Sequence, residues 1–184
     1  LHPRVRRQRQ MCIRDRAISA ILYPNDAGEH GRLLRLKQEY LFVSAGLQTI
    51  LRDYKKKYGD DAWEDLGKHV SIHTNDTHPA MCGPELMRLL VDEHGVDFDL
   101  AFKIAQQTIS YTNHTIMPEA LEKWPENMMR ETLPRIYSIM QELNRRLCAE
   151  LFKSYPDQWE RIGHMAIIAY GQVHMANLLS LIHI

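Results

Sequence analysis

The sequence predicts a helix-rich α/β fold, on three observations. Two short β-branched runs, 69–74 and 108–112, each end in a polar, histidine-bearing loop. Helical patterns fill the chain between and around them. Two long segments repeat apolar residues at the three-and-four spacing of one helix face.

The first long helix is predicted over residues 33–57. Leu36, Tyr40, Val43, Leu47, Ile50 and Tyr54 fall on one face, Lys55, Lys56 and Lys57 suit the negative dipole end, and Gly59 is the stop. Before it, Tyr23-Pro24-Asn25-Asp26-Ala27-Gly28 has the composition of a loop. Val70 and Ile72 place a strand within 69–74, which Asn75-Asp76-Thr77-His78-Pro79 ends. Pro84 suits the first turn of a helix to about His94, with Leu86, Leu89 and Leu90 inward, and Gly95 closes it. Asp97 or Asp99 caps the next helix, to about Gln107. A second strand follows at 108–112 and leads into Asn113-His114-Thr115. Pro118 opens a short helix. Pro134 opens a long one, with Ile136, Ile139, Met140, Leu143, Leu147 and Leu151 inward. A last helix starts near Trp159.

Composition bounds the function. With 184 residues, 45% hydrophobic and 25% charged, the chain is globular. No apolar run approaches the roughly 20 residues of a membrane helix. The formal charge of zero is a sum of unlike parts. Residues 1–16 carry six arginines and one acid, leaving 17 basic against 22 acidic residues in the rest, a net charge of −5. An acidic body argues against a nucleic-acid partner, because phosphate binding needs clustered positive charge. Cys12, Cys82 and Cys148 are odd in number and form no CxxC pair, so a reducing, cytoplasmic location is expected. The two ends read as foreign to the fold: residues 1–16 as a non-native arm and 179–184 as a non-native tail, with 17–178 as the body.

In α/β folds, ligands gather at the carboxyl ends of strands. The densest cluster there is His73-Thr74-Asn75-Asp76-Thr77-His78. A metal reading takes His73, Asp76 and His78, with His114, as ligands of zinc or iron in a hydrolase. A sugar reading makes Asp76 an acceptor for hydroxyls and His78 a donor. A third has Asn75 and Asp76 capping a turn and the histidines satisfied locally, as in a helical interaction module without chemistry. The second cluster, Tyr111-Thr112-Asn113-His114-Thr115, precedes Glu119 and Glu122. His114 there suits a hydrogen-bond donor or general base, and carboxylates at a helix start are favoured by its dipole alone. The third is Asn25-Asp26 with Arg32 and Arg35, where an arginine suits an anionic group such as phosphate.

Six segments occur in order: YPND, LRLKQEY, NDTHP, PELMRLLVDEHG, YTNHTIMPEALEKWP and VHMANL. Together they resemble the α-glucan phosphorylases, from about Ile18 to Leu178. The resemblance implies an internal fragment of the N-terminal, Rossmann-like domain of a two-domain GT-B glycosyltransferase. It implies transfer of a terminal α-1,4-linked glucosyl unit to inorganic phosphate, giving glucose 1-phosphate with retention. It also implies pyridoxal phosphate as cofactor and a homodimer when complete. The lysine that binds the cofactor belongs to the family's C-terminal half and has no counterpart here, so this chain alone is expected to be inactive. By the same resemblance Asp26 lies in the loop that gates the catalytic site and Arg35 ends that gate. Asp76 and His78 wall the glucose subsite, and the His114 backbone carbonyl faces the glucosyl group, where it would steady oxocarbenium-like charge. Asn113, Glu119 and Glu122 belong to the same wall. Two departures stand out. Ala27 replaces the gate loop's usual asparagine. Arg52 is followed by Asp53 where animal members have two arginines for a nucleotide activator, so nucleotide activation is not expected.

Overall fold

The structure, a computed structural model, describes residues 17–20, 24–115, 117 and 120–183. The chain falls into two units, Leu1–Phe42 and Val43–Ile184, and the division lies within the first long helix, α1 (Glu29–Tyr58).

In the first unit a loop at Pro24–Gly28 leads into α1. Asn25 Oδ1 accepts the Ala27 N–H at 3.1 Å, the side-chain turn that asparagine favours. Gln38 Nε2 donates to the Ile18 carbonyl at 2.6 Å. Leu36 is fully buried.

The second unit carries the rest of α1 to its basic last turn, Lys55, Lys56 and Lys57. Gly59 stops it at φ 92°, and Gly95 takes φ 69° after the helix that precedes it. The buried face of α1 holds Leu47, Leu51 and Tyr54, whereas Ile50 is half-buried. Leu51 thus takes the inward place predicted for Ile50, while Leu47 and Tyr54 keep theirs. The Tyr54 hydroxyl donates to the Ala62 carbonyl at 2.5 Å.

A 3-10 turn (Trp63–Asp65) and a single helical turn, α2 (Leu66–His69), come next. Strand β1 spans Ile72–Asn75, so it starts three residues later than the predicted strand and ends one residue later. His69 closes the helical turn and Val70 is its extended cap. Helix α3 (Cys82–Arg88) runs into a π-helical turn (Leu89–Glu93). Leu86, Leu89 and Leu90 are inward as predicted. Asp97 caps α4 (Phe98–Thr108), its carboxylate accepting from the Asp99 and Leu100 N–H groups. Strand β2 (Ile109–Thr112) then pairs with β1 in parallel, Ile72 opposite Ile109 and Asn75 opposite Thr112. Two parallel strands need a long crossover, and α3 and α4 supply it.

A second sheet was not legible in the sequence. Strands β3 (Lys123–Pro125), β4 (Ile168–Ala169) and β5 (Gln172–His174) form an antiparallel sheet in the order β3-β5-β4. Tyr170 and Gly171 connect β4 to β5 with φ 53° and 71°, the positive pair of a two-residue hairpin turn. Gly171→Ala is expected to cost about 1–2 kcal/mol, the steric charge for an L side chain in that region. A lowered thermal midpoint would show it, and an unchanged one would refute it.

Helix α5 (Glu126–Thr132) and the long α6 (Pro134–Ser154) follow β3. Ile136, Ile139, Met140, Leu143 and Leu151 of α6 are buried, and Leu147 is half-buried. The helix predicted near Trp159, α7, ends at Met165, and a further helix, α8 (Met175–His183), comes after the hairpin. Residues 179–183, set aside in the sequence reading, continue α8, and Leu179 and Ile182 are fully buried. The core lies where α3 meets α4 and α6, and where α8 packs on β2 and α4. The helix predicted to open at Pro118 falls on residues outside those described, as does the arm at 1–16.

Candidate functional site

Parallel pairing in register sends the 75–78 and 113–115 loops out of the same edge of the β1–β2 pair. Asp76 is the pivot. Its N–H donates to the Thr112 carbonyl at 3.0 Å, extending the ladder by one bond. Its backbone then turns into the left-handed region, φ 73°, which aspartate tolerates better than most residues. Oδ1 accepts the Thr77 N–H at 2.7 Å and holds the turn. The carboxylate is half-buried.

His114 reaches across from the second loop, and its Nε2 hydrogen-bonds Asn75 Oδ1. An amide oxygen only accepts, so Nε2 carries the proton in that pair. Asn113 ties its own loop, donating from Nδ2 to the Thr115 carbonyl at 2.5 Å and accepting the Thr115 N–H at 3.2 Å. The two loops are thus tied through Asn75 and His114, with Asn75 as an orienting partner and not only a turn former, while Asp76 and Asn113 each hold their own loop. His78 stands exposed one turn beyond.

Tyr111 lies opposite Thr74 on β2. Its hydroxyl is sealed from solvent and has no hydrogen-bond partner among the described residues. Burial pushes its pKa up, and the negative charge of Asp76 adds to the rise.

Asp26 and Arg35 pair with each other in the first unit at 2.7 Å, and Arg35 also binds Glu39 at 3.0 Å. Glu122 lines a hollow of about 160 Å³ with Lys123, His164, His174 and Asn177. Burial lowers the His174 pKa, and the Lys123 cation lowers it further. Glu119 lies outside the described residues.

The metal reading is overturned by the donors themselves. His73 Nδ1 contacts Ser110 Oγ at 3.1 Å and its Nε2 contacts Thr112 Oγ1 at 2.9 Å. Both ring nitrogens are committed across the strand pair. Among the described residues no three His, Cys, Asp or Glu side chains converge as a metal site. What the loop pair offers is a carboxylate, carboxamides and imidazoles at a strand edge. That is a set of acceptors and donors suited to hydroxyl groups.

A family model described as carbohydrate phosphorylase matches residues 4–183. The glycogen phosphorylase of Bacillus subtilis (strain 168) is 49% identical over 162 residues, 88% of this chain and 20% of that protein. The alpha-glucan phosphorylase H isozyme of Solanum tuberosum is 43% identical over 176 residues, 92% of this chain and 21% of the relative. The brain form of glycogen phosphorylase from Bos taurus is 43% identical over 170 residues, covering 89% and 20%. The chain therefore spans about a fifth of the length of the curated relatives it matches. With one family model matching almost end to end, and with bacterial, plant and animal relatives 43–49% identical over most of its length, the chain belongs to the carbohydrate phosphorylase family.

Proposed function

We propose that the complete protein is an α-1,4-glucan phosphorylase, transferring a terminal glucosyl unit to inorganic phosphate to give glucose 1-phosphate. The observation that carries this is the 49% identity, over 88% of the chain, to a protein named glycogen phosphorylase. The chain supplies part of the N-terminal, Rossmann-like half of a GT-B enzyme. The parallel β1–β2 pair with its helical crossover supports that reading. The complete protein works in the cytoplasm as a homodimer. The free Cys82 and Cys148 suit a reducing compartment. No helix among the described residues is long and apolar enough to cross a membrane.

We assign the roles from the family resemblance. Asp76 accepts hydrogen bonds from the glucosyl hydroxyls. Asn113, His114 and His78 complete that wall, with Asn75 holding the His114 ring. The His114 carbonyl faces the sugar carbon at which positive charge develops. Asp26 and Arg35 form a gate whose ion pair fixes the loop ahead of α1. Glu119 and Glu122 extend the wall.

Pyridoxal phosphate is the cofactor of the complete enzyme, but the residues present do not fit it. An imine-forming lysine is desolvated. Lys55, Lys56, Lys57, Lys68, Lys103, Lys123 and Lys153 are all exposed, and Lys37 is half-buried at the surface of α1.

The test is phosphorolysis of a maltooligosaccharide with inorganic phosphate, read as glucose 1-phosphate. The complete gene product is expected to form it and the 184-residue chain is not. A complete gene product without this activity ends the proposal.

A further inference from the structure

A sealed hydroxyl without a partner costs free energy, so a fold retains one for a reason. Tyr111 holds such a hydroxyl at the strand edge from which the Asp76 loop leaves. Tyr111 is level with Thr74, two residues before Asp76. The Asp76 N–H still belongs to the ladder through Thr112. Cross-strand pairing puts Thr74 and Tyr111 on one side of the pair, and the Asp76 turn leaves β1 directly beside that end of β2. The Asp76 charge acts on the Tyr111 hydroxyl, which fits that placement. Oδ1 of Asp76 is spent on Thr77, and a carboxylate has a second oxygen to offer.

We infer that Tyr111 is a positioning residue for Asp76: as a sugar fills the loop pair, its hydroxyl donates to the Asp76 carboxylate and fixes the angle at which that carboxylate meets the sugar. This rests on the glucan phosphorylase reading above. A phenol is well matched to the task, because a hydrogen bond to an ionised acceptor is shorter and stronger than a neutral one.

Tyr111→Phe in the complete gene product tests this, since it removes one oxygen and keeps the ring. The thermal midpoint is expected to stay level or rise, because a buried unpaired hydroxyl is gone. The kcat is expected to fall roughly tenfold, the scale of one charge-assisted hydrogen bond, with KM for phosphate unchanged. In an Asp76→Asn background the same substitution is expected to cost little more, because the partner charge is already absent. A structural role would lower the midpoint instead. Wild-type kcat in Tyr111→Phe, a lowered midpoint, or full additivity with Asp76→Asn overturns the inference while leaving the phosphorylase reading intact. A wild-type gene product with no phosphorolysis overturns both.

Discussion

Replacing Asp76 by alanine in the complete gene product is expected to lower phosphorolytic turnover about a hundredfold. Hydrogen bonds to a charged group contribute about 1.5–3 kcal/mol each, and roughly 1.4 kcal/mol is a factor of ten in rate. Alanine also loses the bond from the Thr77 N–H, made at 2.7 Å, and must hold φ 73° without a side chain that tolerates it. The two effects separate in Asp76→Asn. Asparagine accepts the left-handed backbone and keeps an oxygen for Thr77, but it carries no charge. It is therefore expected to lose most of the turnover at an unchanged thermal midpoint, whereas Asp76→Ala loses both. Steady-state rates and a thermal melt on the same samples decide the matter. An Asp76→Ala enzyme with ordinary turnover would remove Asp76 from the sugar site.

The sequence read well where one physical signal dominated. The long helices were visible because burial on one face leaves a periodic imprint, and Leu36, Leu47 and Tyr54 bear it. The cap of α4 was visible because Asp97 does a local job with a local side chain. The loops after the strands were visible because Asn, Asp and Pro break a ladder predictably. The second sheet was hidden for the opposite reason. Its strands are two or three residues long, too short for alternation to register. Its hairpin turns on Tyr170-Gly171, which lacks the asparagine that usually marks such a turn. In the site, Asp76 and His114 stood out as polar residues at strand ends. Their pairing partners did not. Asn75 holds His114 across 39 positions of sequence, and Tyr111 faces Thr74 only because the strands are in register. Register is a long-range property, and a single sequence carries no local sign of it. The metal reading failed on the same point. His73 looked available in the sequence, but it is spent on the neighbouring strand's hydroxyls.

Glu85→Ala is expected to destabilise the folded chain by about 3–5 kcal/mol, the cost of removing one partner from a buried ion pair. Glu85 is fully buried. Its Oε1 accepts from Ser44 Oγ at 2.7 Å, and Arg88 Nε reaches Oε2 at 2.7 Å. Arg88 also binds Glu93 at 3.0 Å. Without the carboxylate, a mostly buried guanidinium and a buried hydroxyl face a cavity. Replacing Glu85 and Arg88 together by leucine and methionine is expected to cost far less than Glu85→Ala alone, because no unpaired charge then remains. The loss should also change little with added salt, since counterions screen exposed pairs and not buried ones. Urea unfolding of wild type and the two variants at low and high salt measures all of this. A Glu85→Ala midpoint within the error of wild type would show that the pair carries no stability. The position gives the pair its functional weight. Glu85 sits in the first turn of α3, where a carboxylate also meets the positive end of the helix dipole, and α3 begins three residues after Pro79. Glu85 bonds α3 to Ser44 of α1, so the helix that receives the 75–79 loop is fixed from behind. The turn at Asp76 leads by way of Pro79 into that fixed helix.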